Sequence, residues 1–306
     1  MQIRNILCVA ILSTMLVSCG TDFKKTKGGM PYKLFSKGNG PKVQMGDVMK
    51  FQVIQSIKYK DSATGKQKDS VLFSSYAMDP VYFQFNGQTT PYDMSEVYSQ
   101  MRKGDSMYAV QEIDTFIRRM PGRVPTNFKH GQVVTTVHML DIFKSGAEAK
   151  ADQKKGQEGL LQKDIQTIND YLTKNHISAQ RTPSGAFVQM LSQGSGPAVQ
   201  QGNLVTVNYT GRTLDGTVFD SSTDSSFQHA TPLKFSVGQM IPGFNEGIVM
   251  LKKGDKAKFF IPSPLGYGAQ SPSPKMKPNS ILIFDIDVLD VQKEAPPLPQ
   301  TQVPGH

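Results

Sequence analysis

The sequence predicts an α+β protein in which one fold occurs twice, and three observations carry that prediction. Short runs rich in β-branched and aromatic residues, such as Leu204 to Thr210, Ala257 to Ile261 and Ile281 to Leu289, read as strands. The stretch 146–178 turns to Ala, Glu, Lys and Gln and reads as a helix between two strand-rich regions. Short motifs before that helix recur in the same order after it. At 306 residues the chain has room for two domains of ordinary size.

Residues 1–18 carry a basic Arg4 and then an apolar run from Ile6 to Val17, too short for a membrane span and suited to a secretory signal. Leu16-Val17-Ser18-Cys19 resembles a bacterial lipobox. That resemblance implies cleavage before Cys19 and lipid on its thiol and new amino group, making Cys19 a membrane anchor in the cell envelope. Gly20, standing where an inner-membrane lipoprotein carries aspartate, points to the outer membrane, facing the periplasm. Cys8 and Cys19 are the only cysteines, and Cys8 leaves with the signal, so no disulfide framework is expected. Residues 19–30, rich in Lys, Gly and Thr without apolar periodicity, read as a flexible tether.

Residues 31–145 and 179–293 hold the repeat. Gly38-Asn39-Gly40-Pro41 matches Gly194-Ser195-Gly196-Pro197, and Met45-Gly46-Asp47-Val48 matches Gln201-Gly202-Asn203-Leu204. Leu72-Phe73-Ser74-Ser75 is aligned with Val218-Phe219-Asp220-Ser221, Met101 to Asp105 with Leu251 to Asp255, and His138 to Asp141 with Asp287 to Asp290. Such ordered matches argue for duplication of one fold. In the second copy Leu282, Phe284, Ile286 and Val288 alternate with Asp285 and Asp287, the period of a half-buried strand in a mostly antiparallel sheet. Pro242 can open a short helix with Phe244, Ile248 and Leu251 on its inner side. The linker helix 146–178 carries Leu161, Ile165, Ile168 and Leu172 on one stripe, which needs a partner surface in the following domain or in a second copy of the chain. Residues 294–306 are proline-rich and read as an extended, mobile tail.

The net charge of +9 rests on lysines spread over loops and turns, without aromatic interleaving or a helix-turn-helix pattern, so a solvated surface is expected and no nucleic acid partner. Weak attraction to acidic lipid headgroups near the anchor fits the same charge. The five histidines show no ligand spacing with cysteine or paired carboxylates, and no metal site is expected. A Gly-x-Ser-x-Gly hydrolase elbow is absent from the sequence.

Three segments of the second copy carry the most specific signal. Val207 to Ser222 reads VNYTGRTLDGTVFDSS, Pro232 to Gly268 reads PLKFSVGQMIPGFNEGIVMLKKGDKAKFFIPSPLGYG, and Pro278 to Val291 reads PNSILIFDIDVLDV. In order and in individual residues they resemble the FKBP family of peptidyl-prolyl isomerases, across residues 179–293. The resemblance implies two FKBP-like domains, each a curved, mostly antiparallel sheet wrapped on a short helix. It implies peptidyl-prolyl cis-trans isomerisation on proline-containing unfolded or partly folded polypeptides, such as secreted or outer-membrane proteins, with no cofactor. A macrolide that plugs this family's pocket would be an inhibitor.

Carried over residue by residue, the family's pocket falls on Tyr209, Phe219, Asp220, Met240, Ile241, Phe244, Tyr267 and Phe284. Asp220 and Tyr267 take the catalytic positions. Tyr209, Phe219, Met240, Ile241, Phe244 and Phe284 bind substrate, with the amide of Ile241 donating to a substrate carbonyl. The chain departs from the family pattern in three places. It has no tryptophan, so Phe244 replaces the usual indole floor; the segment 223–231 offers no arginine to Asp220; and Lys275 and Met276 stand where aliphatic residues are common.

The first copy lacks the pocket, with Val53 aligned to Tyr209, Ser74 to Asp220 and Thr135 to Phe284, and it carries an insertion from Tyr59 to Asp69. Its aromatic residues Tyr82, Phe83, Phe85, Tyr92 and Tyr98 form either its core or a client-binding face. The competing reading of the whole chain is a non-enzymatic chaperone or scaffold lipoprotein.

Overall fold

A computed structural model of the chain describes residues 23–38, 40–61, 64–119, 130–227 and 230–293. The expected signal, the Cys19 anchor and the tail 294–306 lie outside those residues. The chain divides into two compact units, Met1–Tyr76 with Pro80–Ala149, and Ala77–Asp79 with Lys150–His306.

The first unit contains β1 (Lys24–Lys25), β2 (Pro31–Phe35), β3 (Val48–Lys60), β4 (Gln67–Ser74), β5 (Val81–Gln84), α1 (Ser95–Tyr98), β6 (Ser106–Glu112), α2 (Ile113–Arg119) and β7 (Gln132–Phe143). Its antiparallel sheet runs β1-β2-β6-β7-β3-β4, with β5 also pairing β3. The helix α3 (Gly146–Lys174) follows. The second unit then contains β8 (Gln180–Arg181), β9 (Phe187–Ser192), β10 (Leu204–Thr213), β11 (Val218–Ser221), β12 (Leu233–Ser236), α4 (Pro242–Ile248), β13 (Lys256–Ile261) and β14 (Leu282–Gln292). Its order is β8-β9-β13-β14-β10-β11, with β12 also pairing β10. Strand for strand this is the first sheet again.

The likeness extends to irregularities. β3 shifts register against β7 between Lys50 and Phe51, and β10 shifts against β14 between Thr206 and Val207. Both domains also fasten the turn after their short helix with a buried aspartate. Asp105 accepts from the amides of Gly38 and Arg102 at 3.0 and 2.9 Å, and Asp255 from those of Gly194 and Lys252 at 2.6 and 2.9 Å. Lys103 pairs with Asp141 and Lys253 with Asp290 beside those turns. The chain is α+β, with two domains of one strand order.

Alternation determines which side chains are covered. Leu282, Phe284, Ile286 and Val288 on β14 enter one core with Phe244, Ile248 and Leu251 of the α4 region. On the other face of β14, Asp287 pairs with Lys256, and Asp285 with Lys258 and Arg212. Gly243 lets α4 lie directly on β13, since a Cβ there would meet Ile261 Cγ2 at 2.5 Å. The stripe of α3 finds its partner in the second domain: Ile165, Ile168 and Leu172 pack with Phe187, Phe260, Ile281 and Ile283 on the outer face of the sheet. In the first domain Phe85 and Tyr98 are core, whereas Phe83 is exposed.

Two expectations are corrected. Residues 23–30 are not a free tether: Lys24 and Lys25 pair with Tyr32 and Pro31, Gly28 donates to Glu96 at 2.8 Å, and Met30 is fully buried. A lysine-rich segment shows no apolar period, yet its backbone completes the edge of a sheet. The alignment of β4 with β11 also moves by one residue. Ile54 pairs with Ser74 as Thr210 pairs with Ser221, and Gln55 pairs with Phe73 as Gly211 pairs with Asp220. Phe73, not Ser74, therefore occupies the position of Asp220. The serines agree, because Ser75 Oγ accepts from the Val53 amide and Ser222 Oγ from the Tyr209 amide, both at 2.8 Å. Thr135 does stand at the position of Phe284, opposite Gln55 as Phe284 is opposite Gly211.

Candidate active site in the second domain

Seven of the eight pocket residues expected from the sequence belong to the second core or pack against it, and Asp220 is bonded to one of them. Phe219, Phe244 and Phe284 are buried in it, Tyr209, Met240, Ile241 and Tyr267 pack against it partly buried, and Asp220 joins through Tyr209. Phe284 on β14 is the centre. Its ring meets Phe219 at 5.7 Å and 89°, and Phe244 at 5.5 Å and 87°, while Tyr209 lies at 6.3 Å and 51°. Tyr267 stands edge-on to Phe219 at 6.4 Å and 87°. Edge-to-face packing of this kind sets ring positions as well as filling space.

Phe244 does not stand alone where tryptophan is usual. It makes T-shaped contacts with Phe235 at 5.6 Å and Phe259 at 5.5 Å, so neighbouring phenyl rings support the smaller side chain. Met276 is buried in the same core and acts as an aliphatic residue after all. The ammonium of Lys275 lies 4.8 Å from the centroid of Phe227, a cation-π contact.

Asp220 is held without an arginine. The Tyr209 hydroxyl donates to Oδ2 at 2.6 Å and the Ser221 amide to Oδ1 at 2.9 Å. Burial first, and then the bond to Asp220, push the Tyr209 phenol above its ordinary value. Burial first, and then the charge of Asp220, do the same for Tyr267. Both phenols therefore stay protonated donors at neutral pH. Among the described residues no partner accepts from the Tyr267 hydroxyl, and none accepts from the amide of Ile241, the residue preceding Pro242 at the first position of α4. The site thus presents unengaged donors and one fixed carboxylate beside an apolar floor.

Sequence reasoning did not single out Gly211. A Cβ there would stand 2.7 Å from Phe219 Cζ and 2.9 Å from Phe284 Cε1, so this glycine makes room for the perpendicular pair. A glycine inside a strand run is the signal that was available. Tyr209, expected only among the substrate-binding residues, also orients Asp220 through its hydroxyl. In the first domain Gln55 takes the place of Gly211, and Leu72, at the position of Phe219, is 54% exposed where Phe219 is 6%. A cavity of about 620 Å3 lies in the first unit, and one of about 280 Å3 in the second is lined by Tyr209 but not by Phe219, Asp220, Phe244 or Tyr267.

Residues 196–289 match the family described as FKBP-type peptidyl-prolyl cis-trans isomerase. A Neisseria meningitidis protein described as a probable FKBP-type peptidyl-prolyl cis-trans isomerase, FkpA, is 36% identical over 150 residues, covering 49% of this chain and 50% of its own. A Haemophilus influenzae protein with the same family description is 36% identical over 193 residues, 54% of this chain and 78% of its own. The outer membrane protein MIP of Legionella longbeachae is 37% identical over 113 residues, 38% of this chain and 47% of its own. The chain spans about half the length of most of the curated relatives that it matches. With the aromatic site inside the matched stretch and the Haemophilus relative covered over most of its length, the chain belongs to the FKBP-type peptidyl-prolyl cis-trans isomerase family.

Proposed function

We propose that the second domain catalyses cis-trans isomerisation of X-Pro bonds in unfolded or partly folded polypeptides, and that the chain does so as a lipid-anchored protein of the cell envelope. The observation that carries the catalytic reading is the Tyr267 hydroxyl, half-buried and without an acceptor among the described residues, beside Asp220 and the perpendicular rings of Phe219 and Phe284.

Rotation about the amide must pass a twisted state in which resonance is lost, a barrier of about 18 to 20 kcal/mol. No bond is made or broken, so what helps is a group that favours the twisted amide over the planar one. The proline ring lies against Phe219, Phe244 and Phe284, with Tyr209 and Met240 at the walls, where water is excluded. The Ile241 amide donates to a substrate carbonyl, and Tyr267 donates to the carbonyl of the bond that turns. Asp220, kept in place by Tyr209 and Ser221, sets a negative charge beside the rotating amide. Each tenfold acceleration takes about 1.4 kcal/mol of such differential stabilisation.

The envelope reading rests on the run Ile6 to Val17, the motif ending at Cys19, and likeness to a relative named an outer membrane protein. Cys19→Ala is expected to leave the protein unprocessed or soluble on fractionation of expressing cells. For catalysis, proline-limited refolding of a client by the full chain is expected to accelerate, and a macrolide that plugs the pocket to abolish the gain. No acceleration by folded protein would move the chain to the second reading, a chaperone that binds without catalysis. The exposed Val71, Leu72, Phe73 and Tyr76 of the first unit favour client binding there.

A further inference from the structure

The helix α3 reaches the candidate site through one buried carboxylate. Asp164 lies on the docked face of α3, next to Ile165 and one turn from Leu161 and Ile168, and is 6% exposed. Its Oδ2 accepts from both the amide and the hydroxyl of Ser263, at 2.8 and 2.5 Å. Ser263 is fully buried and opens the 3-10 turn Ser263–Leu265. The carbonyl of Ser263 in turn accepts from the amides of Gly266 and Gly268, at 3.0 and 2.9 Å. Those two glycines flank Tyr267.

An apolar residue would serve helix docking alone at this spot, since a buried carboxylate is costly unless its hydrogen bonds are satisfied. Here the bonds go to the segment that carries the pocket tyrosine and nowhere else among the described residues. Gly266 and Gly268 offer little intrinsic stiffness, so the turn that carries Tyr267 is held by their bonds to Ser263, together with the bond from the Asn279 amide to the Gly268 carbonyl at 2.7 Å. We infer that Asp164 is a positioning residue for the isomerase site, through which the docked helix α3 holds the Ser263 turn and thereby the Tyr267 hydroxyl. Asp164 does not touch the substrate; it acts through Ser263. The inference rests on the catalytic reading above.

The test is a double-mutant cycle in the full chain, with proline-limited refolding as activity and amide hydrogen exchange at Gly266 and Gly268 as the structural signature. Asp164→Asn is expected to lower kcat/KM by about 3- to 10-fold, the size of a lost charge-assisted hydrogen bond, and to speed exchange at both glycines. In a Tyr267→Phe background the same change is expected to cost less than about 2-fold, because the hydroxyl it positions is already gone. Unchanged activity, or an equal fold-loss in both backgrounds, overturns the inference in favour of a purely structural contact. Should Asp164→Asn fail to fold, Ser263→Ala, which keeps the backbone bond and removes the hydroxyl bond, is read by the same criteria. If the wild-type chain proves inactive, the catalytic reading fails by itself. Exchange at Gly266 and Gly268 then decides: faster exchange in Asp164→Asn supports the positioning link, and unchanged exchange removes it.

Discussion

The two domains share strand order, a register shift in the same long strand and the same aspartate-fastened turn, yet they are filled differently. The first core is rich in methionine, with Met30, Met49, Met101, Met107 and Met139 all fully buried. The second is rich in phenylalanine, with Phe219, Phe235, Phe244, Phe259 and Phe284. Methionine adapts to irregular space, whereas perpendicular phenyl rings hold a particular shape. The fold therefore needs covered apolar side chains at alternating positions, and either filling supplies them. The site needs more: a glycine, a ring, a carboxylate and a tyrosine at Gly211, Phe284, Asp220 and Tyr209, where the first domain has Gln55, Thr135, Phe73 and Val53.

Substitutions that remove this difference should act in a definite order. The largest effect is expected from Phe219→Ala, which empties the place between Phe284 and Tyr267 and should destabilise the domain by about 3 to 5 kcal/mol, read as a lowered melting point with activity lost. Gly211→Ala comes next. Its Cβ would press on Phe219 and Phe284, and overpacking of that kind costs about 1 to 3 kcal/mol. Denaturant unfolding together with a refolding assay should report both losses.

Tyr267→Phe and Asp220→Ala remove polar groups without disturbing the rings. Each is expected to lower kcat/KM by about 3- to 30-fold, with melting nearly unchanged for Tyr267→Phe. Wild-type activity in both, with the fold intact, would remove Tyr267 and Asp220 from the catalytic role and leave any acceleration to the apolar floor. The pH profile sharpens the same point. Tyr267 must carry its proton to donate, and its phenol is held above the ordinary 10.0, so activity supplied by that proton should persist up to about pH 10 and fall only beyond it. The Tyr267→Phe enzyme should lose that alkaline limb.

The smallest effect is expected from Phe73→Asp in the first domain. It restores a carboxylate at the position of Asp220, but Val53 offers no hydroxyl to hold it and Thr135 no ring beside it. No gain in isomerase activity over the unmodified chain is expected, and stability should move within about 0.5 kcal/mol, as for other exposed positions. A clear gain would show that the first domain lacks only its carboxylate.

The sequence by itself determined most of the strands, the duplication and the helix between the copies, while its resemblance to a family supplied the membership of the aromatic cluster. The first three are local: alternation along β14, the stripe of α3 and the repeated short motifs are all contained in short windows. Tertiary structure decided what depends on a partner distant in the chain. The apolar stripe of α3 was legible, but that the second sheet's outer face receives it was not. Lys24 and Lys25 carry no strand signal and become one because an unpaired edge of β2 is beside them. The register of β4 is set by its pairing with β3, where Gln55 stands opposite Phe73, and it leaves no mark in composition. The same holds for the Tyr209 hydroxyl on Asp220 and for Asp164 on Ser263, whose bonds span 11 and 99 residues. A hydrogen bond between distant residues is a property of two backbones brought to one place, and only the folded chain brings them there.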